Sequence, residues 1–129
     1  MIAADTNIVV RLIADDNPHQ RRVVEGRLGE GLFISHSVLM ETEWVLRTVY
    51  RLDRGEIHQA LLALLEWEDV HVPLTSFVFW ALDRYAAGAD WADMLHLISA
   101  RTSSAFITFD RDLARDAGPN APLAIELLR

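Results

Sequence analysis

The chain has 129 residues, 51% of them hydrophobic and 24% charged, an ordinary globular balance that fits one domain with one core over residues 1–129. It has no cysteine, which excludes a disulfide framework, thiolate metal ligands and cysteine nucleophiles, and its longest apolar runs, such as Phe77–Leu82, fall far short of the ~20 residues of a membrane-spanning helix. The net charge of −7 argues against unaided binding to phosphate, which normally calls for a basic surface.

Ile2-Ala3-Ala4 reads as a short buried strand ending at Asp5-Thr6-Asn7, and Ile8 to Ala14 as the helix after it. Asp15-Asp16-Asn17-Pro18 is a turn with proline placed to open a helix from Pro18 to about Leu28, which Gly29-Glu30-Gly31 ends. Leu32-Phe33-Ile34 is a second strand, followed by cap candidates Ser35-His36-Ser37 and an amphipathic helix from about Val38 to Leu52. Asp53 caps a helix from about Arg54 to Trp67; Val70-His71-Val72 is a third strand; Thr75 opens a helix to about Ala87 that Gly88 ends. Asp90 caps a helix from about Trp91 to Thr102, Ala105 to Thr108 forms a strand delivering Phe109-Asp110, Asp112 to Asp116 forms a helical turn, and Leu123 to Leu127 a fifth strand at the sheet edge. Short strands alternating with helices indicate an α/β class with a parallel sheet of four to five strands, because parallel pairing requires crossover connections. The start of the chain has no basic flank, long apolar stretch or cleavage site, so nothing directs export and a cytoplasmic location is expected.

Ligands of parallel sheets sit beyond the carboxyl ends of the strands, and four acids are expected there. Asp5 ends the first strand and Asp110 follows the fourth. Glu41 lies in Ser37-Val38-Leu39-Met40-Glu41-Thr42-Glu43-Trp44-Val45-Leu46-Arg47, about 200° around the helix from Glu43. Glu43 precedes Arg47 by four residues, which assigns it a surface ion pair, whereas Glu41 is expected on an apolar stripe with Val38, Val45 and Thr48, where a carboxylate needs a partner or a metal. Asp90 and Asp93 are a cap-and-third-position pair. The cap role suffices for Asp90, and Asp93 has His96 one turn on, expected to be a half-buried packing residue. Asp110, closest to the strand end, is preferred for the last position, with Asp112 as a substitute ligand.

Several acids in one crevice repel one another and bind protons more tightly unless positive charge is supplied. Mg²⁺ or Mn²⁺ is the natural supply: both prefer oxygen ligands and keep waters that leave room for phosphate oxygens, and two such ions suit phosphodiester hydrolysis.

On Ile2-Ala3-Ala4-Asp5-Thr6-Asn7, Val38 to Arg47, Ala89-Asp90-Trp91-Ala92-Asp93-Met94-Leu95-His96 and Ile107-Thr108-Phe109-Asp110-Arg111-Asp112, the chain resembles the PIN-domain nucleases over essentially its whole length, and among them the VapC toxins of toxin–antitoxin pairs. The resemblance implies a three-layer α/β/α sandwich, Mg²⁺- or Mn²⁺-dependent cleavage of RNA, homodimers, and neutralisation by a VapB-like antitoxin. It carries the family's acids over to Asp5, Glu41, Asp93 and Asp110, with Thr6 or Asn7 holding the first acid or its metal-bound water.

All twelve cations are arginine, and Arg11, Arg47, Arg51 and Arg111 are candidate phosphate contacts, although solvated faces and ion pairs account for them equally well. Trp44, Trp67, Trp80 and Trp91 are candidates for stacking on bases, with core or interface packing the stronger expectation for Trp44 and Trp80. The helices from Val38 to Trp67 are apolar enough to hint at a dimer or antitoxin groove. Phosphoryl transfer through an aspartyl intermediate would, by resemblance, rely on a lysine, and there is none. A catalytically silent PIN-like module that binds RNA or protein is the remaining alternative.

Overall fold

The computed structural model describes all residues, 1–129, and its α/β alternation is the one the hydrophobic pattern predicts. The chain divides into two compact units, Met1–Thr75 and Ser76–Arg129.

In the first unit, β1 (Ile2–Ala3), β2 (Leu32–Phe33) and β3 (Val70–His71) form a parallel sheet in the order β1-β2-β3. The register aligns Ile2 with Leu32 and Val70, and Ala3 with Phe33 and His71. Two helices separate each pair of strands: α1 (Thr6–Ile13) and α2 (Pro18–Glu25), then α3 (His36–Thr48) and α4 (Arg54–Glu66). Side-chain caps set where each of these begins. Asp5 Oδ1 accepts from Ile8 N at 3.1 Å, Asn17 Oδ1 from Gln20 N at 3.1 Å, and Ser35 Oγ from Val38 N at 3.2 Å. Asp53 and Glu56 form a reciprocal capping box, with bonds of 2.8 and 3.1 Å. Each takes up amides that a helix start leaves unpaired, worth about 1 kcal/mol. The buried side chains of this unit include Val9, Leu12, Ile34, Leu39, Leu46, Ile57 and Leu61.

Because the strands are parallel and β1 and β2 both run directly into helices, α1 and α3 leave from the same end of this sheet. A single turn of 3₁₀ helix, Leu28–Glu30, follows α2 where the sequence pattern extended the α-helix to Leu28. α3 stops at Thr48, short of the expected Leu52. There the Leu46 carbonyl accepts from Leu52 N at 3.0 Å and Arg51 takes φ 56°, a left-handed conformation that terminates a helix.

The second unit holds α5 (Thr75–Ala86), α6 (Trp91–Ser99), β4 (Phe106–Thr108), α7 (Arg111–Ala117) and β5 (Ile125–Leu127). β4 and β5 pair in parallel, Phe106 with Ile125 and Thr108 with Leu127, with α7 as the crossover. Val78, Leu82, Trp91, Met94, Leu95, Leu97 and Ile98 are fully buried. Tyr85 and Trp91 meet edge to face, with ring centroids 5.7 Å apart. The helices of both units are too short or too polar to cross a membrane.

Candidate carboxylate site

Asp5 and Glu41 belong to the first unit. The extended conformation of Asp5 (ψ 177°) turns the chain from β1 into α1, and its carboxylate is exposed, with Oδ1 holding the Ile8 amide. Thr6 beside it is buried, whereas Asn7 is exposed and shares a groove with Asp5.

The structure reverses the expected faces of α3. Its buried side is Leu39, Thr42, Glu43 and Leu46, and Glu41 stands on the exposed stripe with Ser37, Trp44 and Thr48. The apolar stripe of Val38 and Val45 is only half-buried. The physical reason is that Leu39 and Leu46, two turns apart, bury more apolar surface than that stripe would. Thr42 lies between them at low cost, because its hydroxyl donates to the Val38 carbonyl at 2.7 Å. Glu43 makes the expected pair with Arg47, Nε to Oε2 at 2.8 Å, but does so as a buried residue, not at the surface. Glu41 is thus not a buried charge in need of a metal; it is a solvated carboxylate.

The other two acids lie in the second unit. Asp90 caps α6 by accepting from Asp93 N at 2.9 Å, which places Asp93 in the first turn. Burial raises the proton affinity of the Asp93 carboxyl above the ordinary value, the negative charges of Asp90 and Asp110 raise it further, and His96 opposes them. Asp93 and Asp110 therefore feel each other's charge, as expected for a helix whose start lies near the end of the strand it feeds. Asp110 caps α7, accepting from Asp112 N at 2.8 Å and Leu113 N at 3.2 Å, while its own amide donates to Thr108 Oγ1 at 2.9 Å. Asp112 is instead paired with Arg115 at 3.2 Å and stands in solvent. His96 is exposed, not half-buried.

The arginines divide. Arg47 is taken by Glu43, and Arg11 by Gln20, Asp16 and Tyr50, whereas Arg51 and Arg111 are exposed. Trp44 is 54% exposed, so core packing does not hold it, while Trp91 is buried. The Arg11 cluster escaped sequence reasoning because it joins residues up to 39 positions apart; only the aspartate-rich turn after α1 hinted at it.

No three acidic or histidine side chains are gathered into a ready-made metal cage. In the second unit Asp93 and Asp110, near enough for charge interaction, are oxygen donors of the kind Mg²⁺ takes, since it is usually bound through one or two carboxylates, its own waters and substrate phosphates. The proton affinity of Asp93 is raised first by its burial and then by the neighbouring acids Asp90 and Asp110, a cost that a bound cation would offset.

The chain belongs to the PIN domain family, whose model matches residues 2–118. PIN domains are generally nucleases, hence hydrolases, and typically bind divalent metals. Comparisons with curated proteins and with solved structures return no match.

Proposed function

We propose that residues 1–129 act as a single PIN-like domain and that the protein is a Mg²⁺- or Mn²⁺-dependent endoribonuclease, the VapC-type toxin of a cytoplasmic toxin–antitoxin pair. Asp5, Glu41, Asp93 and Asp110 are the metal-binding and catalytic acids, and the protein works as a homodimer held in check by a VapB-like antitoxin. The observation that carries the reading is the PIN family match over residues 2–118, supported by Asp5 and Asp110 each standing at the turn from a strand into a helix.

When bound, the divalent ions supply a metal-activated water and neutralise charge on the phosphodiester. The side chains do the rest. Asp5 and Asp110 are each oriented by the helix amides they cap, so they present fixed oxygens. Glu41 stands exposed on α3, its backbone set by a fully hydrogen-bonded helix. Asp93 is held at the start of α6, where burial first, and then the nearby Asp90 and Asp110, disfavour its charged form, a cost that a cation would relieve. The second reading, a silent PIN-like binding module, draws on the fact that Asp5 and Asp110 both cap helices, a sufficient structural role.

Cleavage of a panel of single-stranded RNAs by antitoxin-free protein in Mn²⁺, against EDTA, separates the two readings. Asp5→Asn is the decisive variant, since asparagine caps a helix as well as aspartate does but gives up the charge. Folding is expected to persist while cleavage falls at least ~100-fold, the scale of losing one well-placed electrostatic group. Glu41→Gln is expected to do the same. A wild-type protein that leaves every RNA intact would establish the silent module instead.

A further inference from the structure

We propose that the groove between α1 and α2 beside Asp5 seats one unpaired nucleobase of the nucleic-acid strand, and that Gln20 reads it. The inference deepens the nuclease reading and rests on it for the identity of the strand. The groove encloses about 530 Å³, within the ~300–1,000 Å³ of small-ligand clefts. Its wall is apolar at Ile8, Val23 and Val24, and its rim is polar at Asn7, His19 and Gln20. Val23 is 58% exposed there, offering a flat apolar contact that no other part of the chain covers. That combination suits the face of a base with hydrogen-bonding edges. It suits a protein helix poorly, since a docked helix needs a continuous apolar stripe.

What makes the groove selective is a lock built from distant residues. Arg11 Nε donates to Gln20 Oε1 at 2.7 Å, and Arg11 Nη1 donates to Asp16 Oδ1 at 3.0 Å and to the Tyr50 hydroxyl at 3.1 Å. Tyr50 in turn donates to Asp16 Oδ2 at 2.6 Å. A guanidinium can only donate, so the Gln20 atom facing it must be the carbonyl oxygen. The amide is thereby fixed in one orientation, and Gln20, which lines the groove, has its amino group left as a pure donor. An amide N–H donates to the exocyclic oxygens, guanine O6 and uracil O4, and is opposed by the amino groups that adenine and cytosine carry in their place. Binding of oxo bases over amino bases is the expected preference.

The test uses the whole protein, NMR-labelled, in Ca²⁺ to suppress cleavage, titrated with trinucleotides that carry one central base (G, U, A or C) between abasic sites. The Gln20 side-chain amide and the Val23 and Val24 methyls are expected to shift, with G and U bound about fivefold more tightly than A and C, the scale of one good hydrogen bond to a base. Gln20→Glu replaces the donor by an acceptor that Arg11 still holds, so the order should reverse, while Arg11→Met frees the amide and should flatten it. Unmoved groove signals, or equal affinities for all four bases in wild type and Gln20→Glu, overturn the proposal, as do groove shifts that follow protein concentration alone and so report a second copy. Cleavage of RNA without any base preference beside the scissile bond would sink the subsite and keep the nuclease; base-selective binding in a chain that never cleaves would do the opposite.

Discussion

Asp93 is a carboxyl whose proton affinity the fold raises. Burial and the charges of Asp90 and Asp110 lift its proton affinity, so the folded state keeps the proton at a pH where the unfolded chain has released it. Stability gained this way is complete below the ordinary aspartate range, near pH 4. It is lost as pH rises from there through the raised folded value, and above that value the ionised carboxylate is a net penalty. Asp93→Asn removes the penalty, so in metal-free buffer at neutral pH the variant should melt higher than wild type, and the two should converge below pH 4. Adding Mg²⁺ should reverse the ranking, because only the wild-type acid binds the ion. A variant that melts lower at neutral pH without metal would show that Asp93 is a stabilising cap-region acid.

At the scale of an element, α3 shows that a helix's phase is decided by its best-packed pair. Leu39 and Leu46 are 1% and 0% exposed, and their burial carries Thr42 and Glu43 inward with them. Leu46→Ala is expected to cost about 2–5 kcal/mol, from lost transfer energy and the cavity left behind. Glu43→Ala should cost less, about 1–2 kcal/mol, since Arg47 is 53% exposed and its guanidinium stays hydrated. Urea midpoints check the order, and RNA cleavage by Glu43→Gln should stay near wild type, because Glu43 lies about 200° around the helix from Glu41. Equal loss of cleavage in Glu41→Gln and Glu43→Gln would place the chemistry on the wrong face of α3.

For the whole molecule, the charge of −7 sets how nucleic acid can bind. Nineteen acids outnumber the twelve arginines, and five of those arginines, Arg11, Arg21, Arg27, Arg47 and Arg115, are held in ion pairs, which weakens the field the chain offers to phosphate. Affinity for RNA in Mg²⁺ should therefore fall only weakly with salt, with a log–log slope near −2 instead of the steep slopes of basic binders, and EDTA should weaken it at least ~10-fold. A steep slope that survives EDTA would mean that the arginines bind the strand by themselves. What the sequence determined alone was whatever closes over a few residues. The strand and helix order follows from hydrophobic period, and the helix starts at Pro18, Asp53 and Asp90 follow from caps that bond an amide three residues on or from a proline with a preset backbone angle. The choice of Asp5, Glu41, Asp93 and Asp110 as candidates came from placing acids at strand ends and from family resemblance. Only the tertiary structure decided that Glu41 faces solvent and Glu43 the interior, that Trp44 is uncovered, and that Arg11 binds Tyr50 across 39 positions. Those outcomes depend on which surfaces meet, and a one-dimensional pattern that offers α3 two competing stripes holds no information about which will find a partner.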